Sequence, residues 1–205
     1  MSKPASSLPV PAVQSTAAPP AAPATARLFL ALWPTAAWAT ALAQRLGLAP
    51  EAAPGRRVPP QQIHLTLHFL GSVPRQRLPA LVEGLRVPFA PFDLALRRCE
   101  RWPRGTLVAL PDEPPPALAD LHAALGAALR RLDLPVEQRA FRPHVTLARR
   151  YDGPVPAPLA SPVRWHVTRY ALVESCPVLA PSAPQKTVGT RYQVLHHYQA
   201  SAAPR

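Results

Sequence analysis

The sequence predicts a mixed α+β protein with about seven strands, organised around two strands that each set a histidine beside a threonine. Three observations carry this. Short apolar runs alternate with amphipathic stretches in the order strand, helix, strand, helix, strands, helix, strands. The tetrad His64-Leu65-Thr66-Leu67 returns as His144-Val145-Thr146-Leu147, one small α/β lobe further along the chain. Outside these tetrads the two halves share no general repeat, so any duplication behind them is old.

Residues 1–26 are Ala, Pro and Ser with almost no charge and no periodicity. Such a segment cannot offset its ordering entropy and reads as a disordered tail, and it lacks the charged and apolar regions of a secretory signal. The folded part, residues 27–199, opens with a compact apolar run over 27–33, a buried strand. Thr35 then caps a helix running to about Leu48. A Pro- and Arg-rich loop over 49–60, carrying Arg56 and Arg57, leads into a strand over 63–70 that ends at Gly71. Residues 75–85 form the second helix, and 92–99 with 106–110 a hairpin. The longest helix spans 115–134, with Leu118, Leu121, Leu125 and Leu129 on one face. Strands over 143–149, 165–174 and 191–199 follow, and residues 200–205 read as a frayed end.

The composition sets outer limits. No stretch is apolar and long enough to cross a membrane as a helix. The two cysteines, Cys99 and Cys176, have no metal-ligand spacing and read as free thiols on strands in a reducing cytoplasm. The formal net charge of +12 suits an anionic partner such as RNA. Of the 23 basic residues only Lys3 and Lys186 are lysines, a bias that a GC-rich genome would also produce, so charge alone decides little.

Strand alternation gives the tetrads their meaning. Residues i and i+2 share a face, so His64, Thr66 and His68 lie together with Leu65, Leu67 and Phe69 opposite. Arg142, His144 and Thr146 share a face in the same way. Two such strands across a cleft bring two imidazoles and two hydroxyls to one point. Imidazole accepts or gives a proton near neutral pH, and hydroxyls donate to phosphate oxygens as their charge grows. No carboxylate lies within either tetrad, so metal-independent acid/base chemistry is expected, with no cofactor. A third His-x-Thr, His166-Val167-Thr168, is followed by Arg169 rather than Leu; His166 is expected at a surface or edge. His122, His196 and His197 receive structural readings.

These residues resemble the 2H phosphoesterase superfamily, and within it the RNA 2′,3′-cyclic phosphodiesterases, also called 2′-5′ RNA ligases. The resemblance covers residues 27–198: the opening strand over 27–34, the first motif over 63–71, the second over 141–149 and the closing strands. It implies a bilobal fold of two pseudo-symmetric antiparallel sheets with outer helices and a central cleft. It implies hydrolysis of a terminal RNA 2′,3′-cyclic phosphate to a 2′-phosphate, with tRNA fragments, other RNA ends and small cyclic nucleotides all open as substrates; a cytoplasmic monomer is expected. By the same resemblance His64 is the proton donor and His144 the proton acceptor, although a symmetric site could run either way. Thr66 and Thr146 hold phosphate oxygens. The family nominates Arg149 as a phosphate contact, which alternation allows only if the strand ends or bulges there. Arg142 is on the right face, and His68 is a further candidate for a phosphate or ribose contact. Two alternatives stay open: reversible 2′-5′ ligation of RNA halves, and an RNA- or nucleotide-binding module without chemistry.

Overall fold

The computed structural model describes residues 24–48 and 56–201. Residues 1–23 of the expected tail and 49–55 of the Pro/Arg-rich loop lie outside the described residues. The chain forms β1 (Thr25–Leu32), α1 (Ala36–Arg45), β2 (Arg56–Arg57), β3 (Leu65–Pro74), α2 (Leu78–Gly84), β4 (Phe92–Trp102) and β5 (Thr106–Pro111). It continues through α3 (Pro116–Arg131), β6 (Val145–Arg149), β7 (Val163–Val167), β8 (Arg169–Ala180) and β9 (Ala183–Gln199). β1 thus takes in Thr25 and Ala26, two residues that their Ala/Pro-rich context assigned to the tail. At the other end, Ala200 and Ser201 are not frayed: their N–H groups donate to Thr168 O and Phe89 O.

The strands follow the order β7-β4-β5-β6-β3-β1-β8-β9, with β2 added on β6, and the pairs are antiparallel. The middle of this order is a seam. β3 meets β6 through one residue pair, Leu65 with Val145, against eight pairs between β1 and β3 and three between β5 and β6. The fold is therefore α+β, with one nine-stranded antiparallel sheet in place of the two sheets expected; its halves, β3-β1-β8-β9 and β7-β4-β5-β6-β2, join at the Leu65–Val145 pair.

Helices lock the halves together. Thr35 caps α1 by accepting from Trp38 N at 3.2 Å, and Gly47, at φ +65°, supplies the left-handed turn beyond its end. α1 follows β1 in chain order yet packs on the other half: Trp38 Nε1 donates to Arg164 O at 2.7 Å, and its ring lies 4.9 Å from that of Trp165. α3 crosses in the opposite sense, from β5 onto β3. Leu118, Leu121, Leu125 and Leu129 are all buried, as their spacing predicts, each stabilising the fold by roughly 1.5–3 kcal/mol.

Three departures from the expected elements have local causes. The single strand expected over 165–174 is two strands. β7 lies on the edge of one half-sheet against β4, and after Thr168 the chain passes to β8 inside the other, against β1. The final hairpin is also longer than expected, with β8 and β9 paired over residues 169–199. Gly71 does not end β3; at φ +77° it sits beside a bulge, because Leu28 pairs with Gly71 and Phe29 with Phe69, leaving Leu70 out of register. His166 is on the outer strand β7, exposed, with Nδ1 2.8 Å from Asp93 Oδ1. Both cysteines are free and half-buried on strands. No helix among the described residues is long and apolar enough to cross a membrane.

Candidate active site

The two tetrads meet at the seam, where His64, Thr66, His144 and Thr146 line one cleft of about 450 Å³ together with Arg149. Leu65 and Val145, the paired residues, directly follow the two histidines, so the ladder itself brings the imidazoles to opposite sides of the same opening.

Each histidine is anchored by the carbonyl two residues before it. His64 Nδ1 lies 2.6 Å from Gln62 O, and His144 Nδ1 lies 2.7 Å from Arg142 O. A carbonyl only accepts, so both Nδ1 atoms carry the proton in these bonds and both Nε2 atoms are left as the reactive nitrogens. The tautomer follows from backbone geometry, and the two halves use the same device.

Their surroundings differ. His64 stacks on Trp33 with ring centroids 5.0 Å apart and planes within 2°, and Phe29 and Tyr192 close around it at 5.1 Å. Burial lowers its pKa to about 4, with the charges of Arg149 and His144 adding to the shift. His144 lies 4.4 Å from Trp102, and its pKa is lowered first by burial and then by Arg142 and Arg149. Both imidazoles therefore favour the neutral form in the free protein.

A shared distortion completes the site. In β3, Leu30 pairs with His68 and Ala31 with Thr66, so Leu67 is an extra residue. In β6, Leu107 pairs with Ala148 and Val108 with Thr146, so Leu147 is extra. Each bulge falls on the last residue of a tetrad and reverses the alternation beyond it. The fifth residue after each histidine is thereby brought onto the cleft face: Phe69 in one half, Arg149 in the other. Arg149 thus meets the condition that alternation alone denied it.

The same bulge corrects the expectation for His68. It turns away from the face of His64 and Thr66, is buried, and places Nε2 2.8 Å from His122 O. Its ring stacks on His122 at 4.0 Å, and His122 stacks on Phe141 at 3.9 Å. This column lines a neighbouring groove rather than the cleft. Arg142 also belongs to that groove: its guanidinium lies 4.7 Å over the Trp102 ring and 3.4 Å from Glu100, while its carbonyl holds His144. Trp102 Nε1 donates to the same Glu100 carboxylate, which is held below the usual carboxylate range by that bond and by Arg98 and Arg142. Arg57 lines a third groove that shares His64, Thr146 and Arg149 with the cleft.

Sequence reasoning missed the aromatic residues of the cleft, Phe29, Phe69 and Tyr192, with Trp33 stacked on His64 beside them, and also Arg27 in the cleft lining. Alternation along β1 was the available signal. Leu28, Leu30 and Leu32 enter the main core, while Phe29 and Ala31 join Ala171 and Val173 in a second cluster facing the cleft.

A family model described as the 2′-5′ RNA ligase superfamily matches residues 33–175. The chain belongs to this superfamily. Among superfamily relatives, an RNA 2′,3′-cyclic phosphodiesterase of Thermus thermophilus is 36% identical over 152 residues, spanning 67% of this chain and 74% of its own. One from Escherichia coli is 36% identical over 102 residues, spanning 49% of this chain and 57% of its own. The fold is similar to that of E. coli LigT in apo form, with a TM-score of 0.71 and 27% identity over 87% of this chain and 99% of LigT. LigT complexed with 3′-AMP matches at the same TM-score and identity.

The lowered histidine pKa values have a consequence for stability. His64 and His122 both sit at about 4 in the folded chain against 6.5 when unfolded, both through burial. Between these values the unfolded chain binds protons that the native one does not. Their contribution is therefore complete above about pH 6.5 and is lost as pH falls through about 4. The thermal midpoint is expected to drop steadily across that window, and a midpoint flat from pH 6.5 to 4 would contradict it.

Proposed function

We propose that this protein hydrolyses RNA 2′,3′-cyclic phosphate ends to a 2′-phosphate and a free 3′-hydroxyl, with His64 and His144 as acid and base. The single observation that carries the reading is the pair of Nδ1-anchored imidazoles facing one cleft, flanked by Thr66, Thr146 and Arg149. The names of the superfamily relatives support the substrate.

Thr66 and Thr146 make no protein hydrogen bond through their hydroxyls among the described residues, so both can donate to the non-bridging oxygens. Arg149 neutralises the charge that builds there. His144 Nε2 takes a proton from water, whose oxygen forms the new bond to phosphorus. The P–O3′ bond opposite breaks, and O3′ takes the proton from His64 Nε2. Burial keeps His64 neutral in the free site; the arriving phosphate anion favours its protonated form and loads the acid. The donor set is two imidazoles and two hydroxyls, with no carboxylate lining the cleft among the described residues, which suits proton transfer without a metal ion. The same reading places the protein in the cytoplasm as a monomer, with cyclic-ended tRNA fragments among its substrates.

The test is product analysis on an RNA ending in a 2′,3′-cyclic phosphate, with excess EDTA present. The expected product is the 2′-phosphate alone. A 3′-phosphate product would reverse the assignment of the leaving oxygen, and absence of turnover would favour a binding module.

A further inference from the structure

The cleft extends well beyond the phosphate-sized space between the histidines. Along β1 its lining runs from Phe29, whose ring lies 5.1 Å from that of His64, to Arg27. Ala31 pairs with Thr66, which fixes the level of the scissile phosphate, and Arg27 lies four residues further along. At about 3.3 Å per strand residue this is ~13 Å between α-carbons, and Arg27 and Thr66 line the same cleft. Between the two levels stand Phe29 and Phe69, with ring centroids 6.2 Å apart and Phe69 59% exposed.

Arg27 is exposed, and its side chain makes no hydrogen bond or ion pair among the described residues. The nearest buried carboxylate, Glu174, belongs to the strand position paired with Leu28 and is taken by Arg75. A cation therefore faces the cleft uncompensated. The order along the lining is phosphate-binding hydroxyl, aromatic wall, free guanidinium. That is the order of phosphate, nucleoside and next phosphate along a single strand, and aromatic faces with interleaved cations are how proteins hold such strands.

Taking the cleft as the cyclic-phosphate site proposed above, we infer that Arg27 binds the internucleotide phosphate 5′ to the terminal ribose. Arg27 is then a specificity-determining residue, and the cleft selects the end of an RNA chain over a free cyclic mononucleotide.

Three substrates test this: a nucleoside 2′,3′-cyclic phosphate with a 5′-hydroxyl, the same compound with a 5′-phosphate, and a dinucleotide ending in the cyclic phosphate. Wild type is expected to favour the dinucleotide over the 5′-hydroxyl compound by about tenfold in kcat/KM, mainly through KM. Arg27→Gln should bring that ratio to within about twofold of unity, and Arg27→Lys should keep part of it because the charge survives without the fork. The inference is overturned if Arg27→Gln leaves the ratio intact or if all three substrates lose activity equally. A gain seen with the 5′-phosphate compound but not with the dinucleotide would also overturn it, since the site would then read a monoester. If wild type turns over none of the three, the proposed function fails first. The subsite is then judged by calorimetry with a 2′-phosphorylated dinucleotide and a nucleoside 2′-phosphate, where equal affinities would dismiss Arg27.

Discussion

Alanine at His144 is expected to lower turnover of RNA 2′,3′-cyclic phosphate ends by about 10²–10⁴-fold, and alanine at His64 by a similar factor. Each substitution removes one proton transfer and leaves the phosphate grip of Thr66, Thr146 and Arg149 in place. KM should therefore move far less than kcat. The double substitution should cost little more than the worse single one, because acid and base act in one displacement and the second has nothing left to assist. Single-turnover kinetics on purified variants checks this. Either single variant retaining wild-type kcat would remove that histidine from the mechanism.

Arg149→Gln is expected to reduce kcat by about 10²–10³-fold, the effect of losing a donor aimed at developing charge. Its guanidinium influences both histidines, lowering the pKa of each. Removing it should therefore raise both imidazole pKa values, readable as ring-proton shifts in an NMR titration. Arg149→Lys keeps the charge but not the planar fork, so partial rescue of kcat is expected. Arg142→Gln supplies the contrast. Its side chain sits over Trp102 rather than in the cleft, and the backbone carbonyl that holds His144 survives the substitution. A loss for Arg142→Gln as large as that for Arg149→Gln would exchange the two assignments.

What could be read from the sequence followed from periodicity. The leucine face of α3, the Thr35 cap, the β4–β5 hairpin and the inward set of His64, Thr66, His144 and Thr146 all stand in the structure. What could not be read depended on breaks in that periodicity that leave no residue signature. The bulges at Leu67 and Leu147 occur at ordinary leucines, so strict alternation placed His68 in the cleft and Phe69 out of it, the reverse of what is found. The passage from β7 to β8 at Thr168 carries no glycine or proline, so residues 165–174 read as one strand. Gly71 reads as a strand end because glycine marks turns and bulges alike. Arg149 was reached through family resemblance, and the physical reason it works is the bulge that the sequence conceals.

The single rung between Leu65 and Val145 bears on how such a protein can change over time. The gap between the two imidazoles is measured across one ladder step, not along the chain. Lengthening the connection over 152–158 does not alter that step, so such a segment can vary in length and wording while the reaction is kept. The rung itself has no such latitude. A slip of one residue on either side would turn one histidine into the core and leave the other alone. Tolerance and constraint thus lie a few residues apart, and the small size of the join is what keeps them separate.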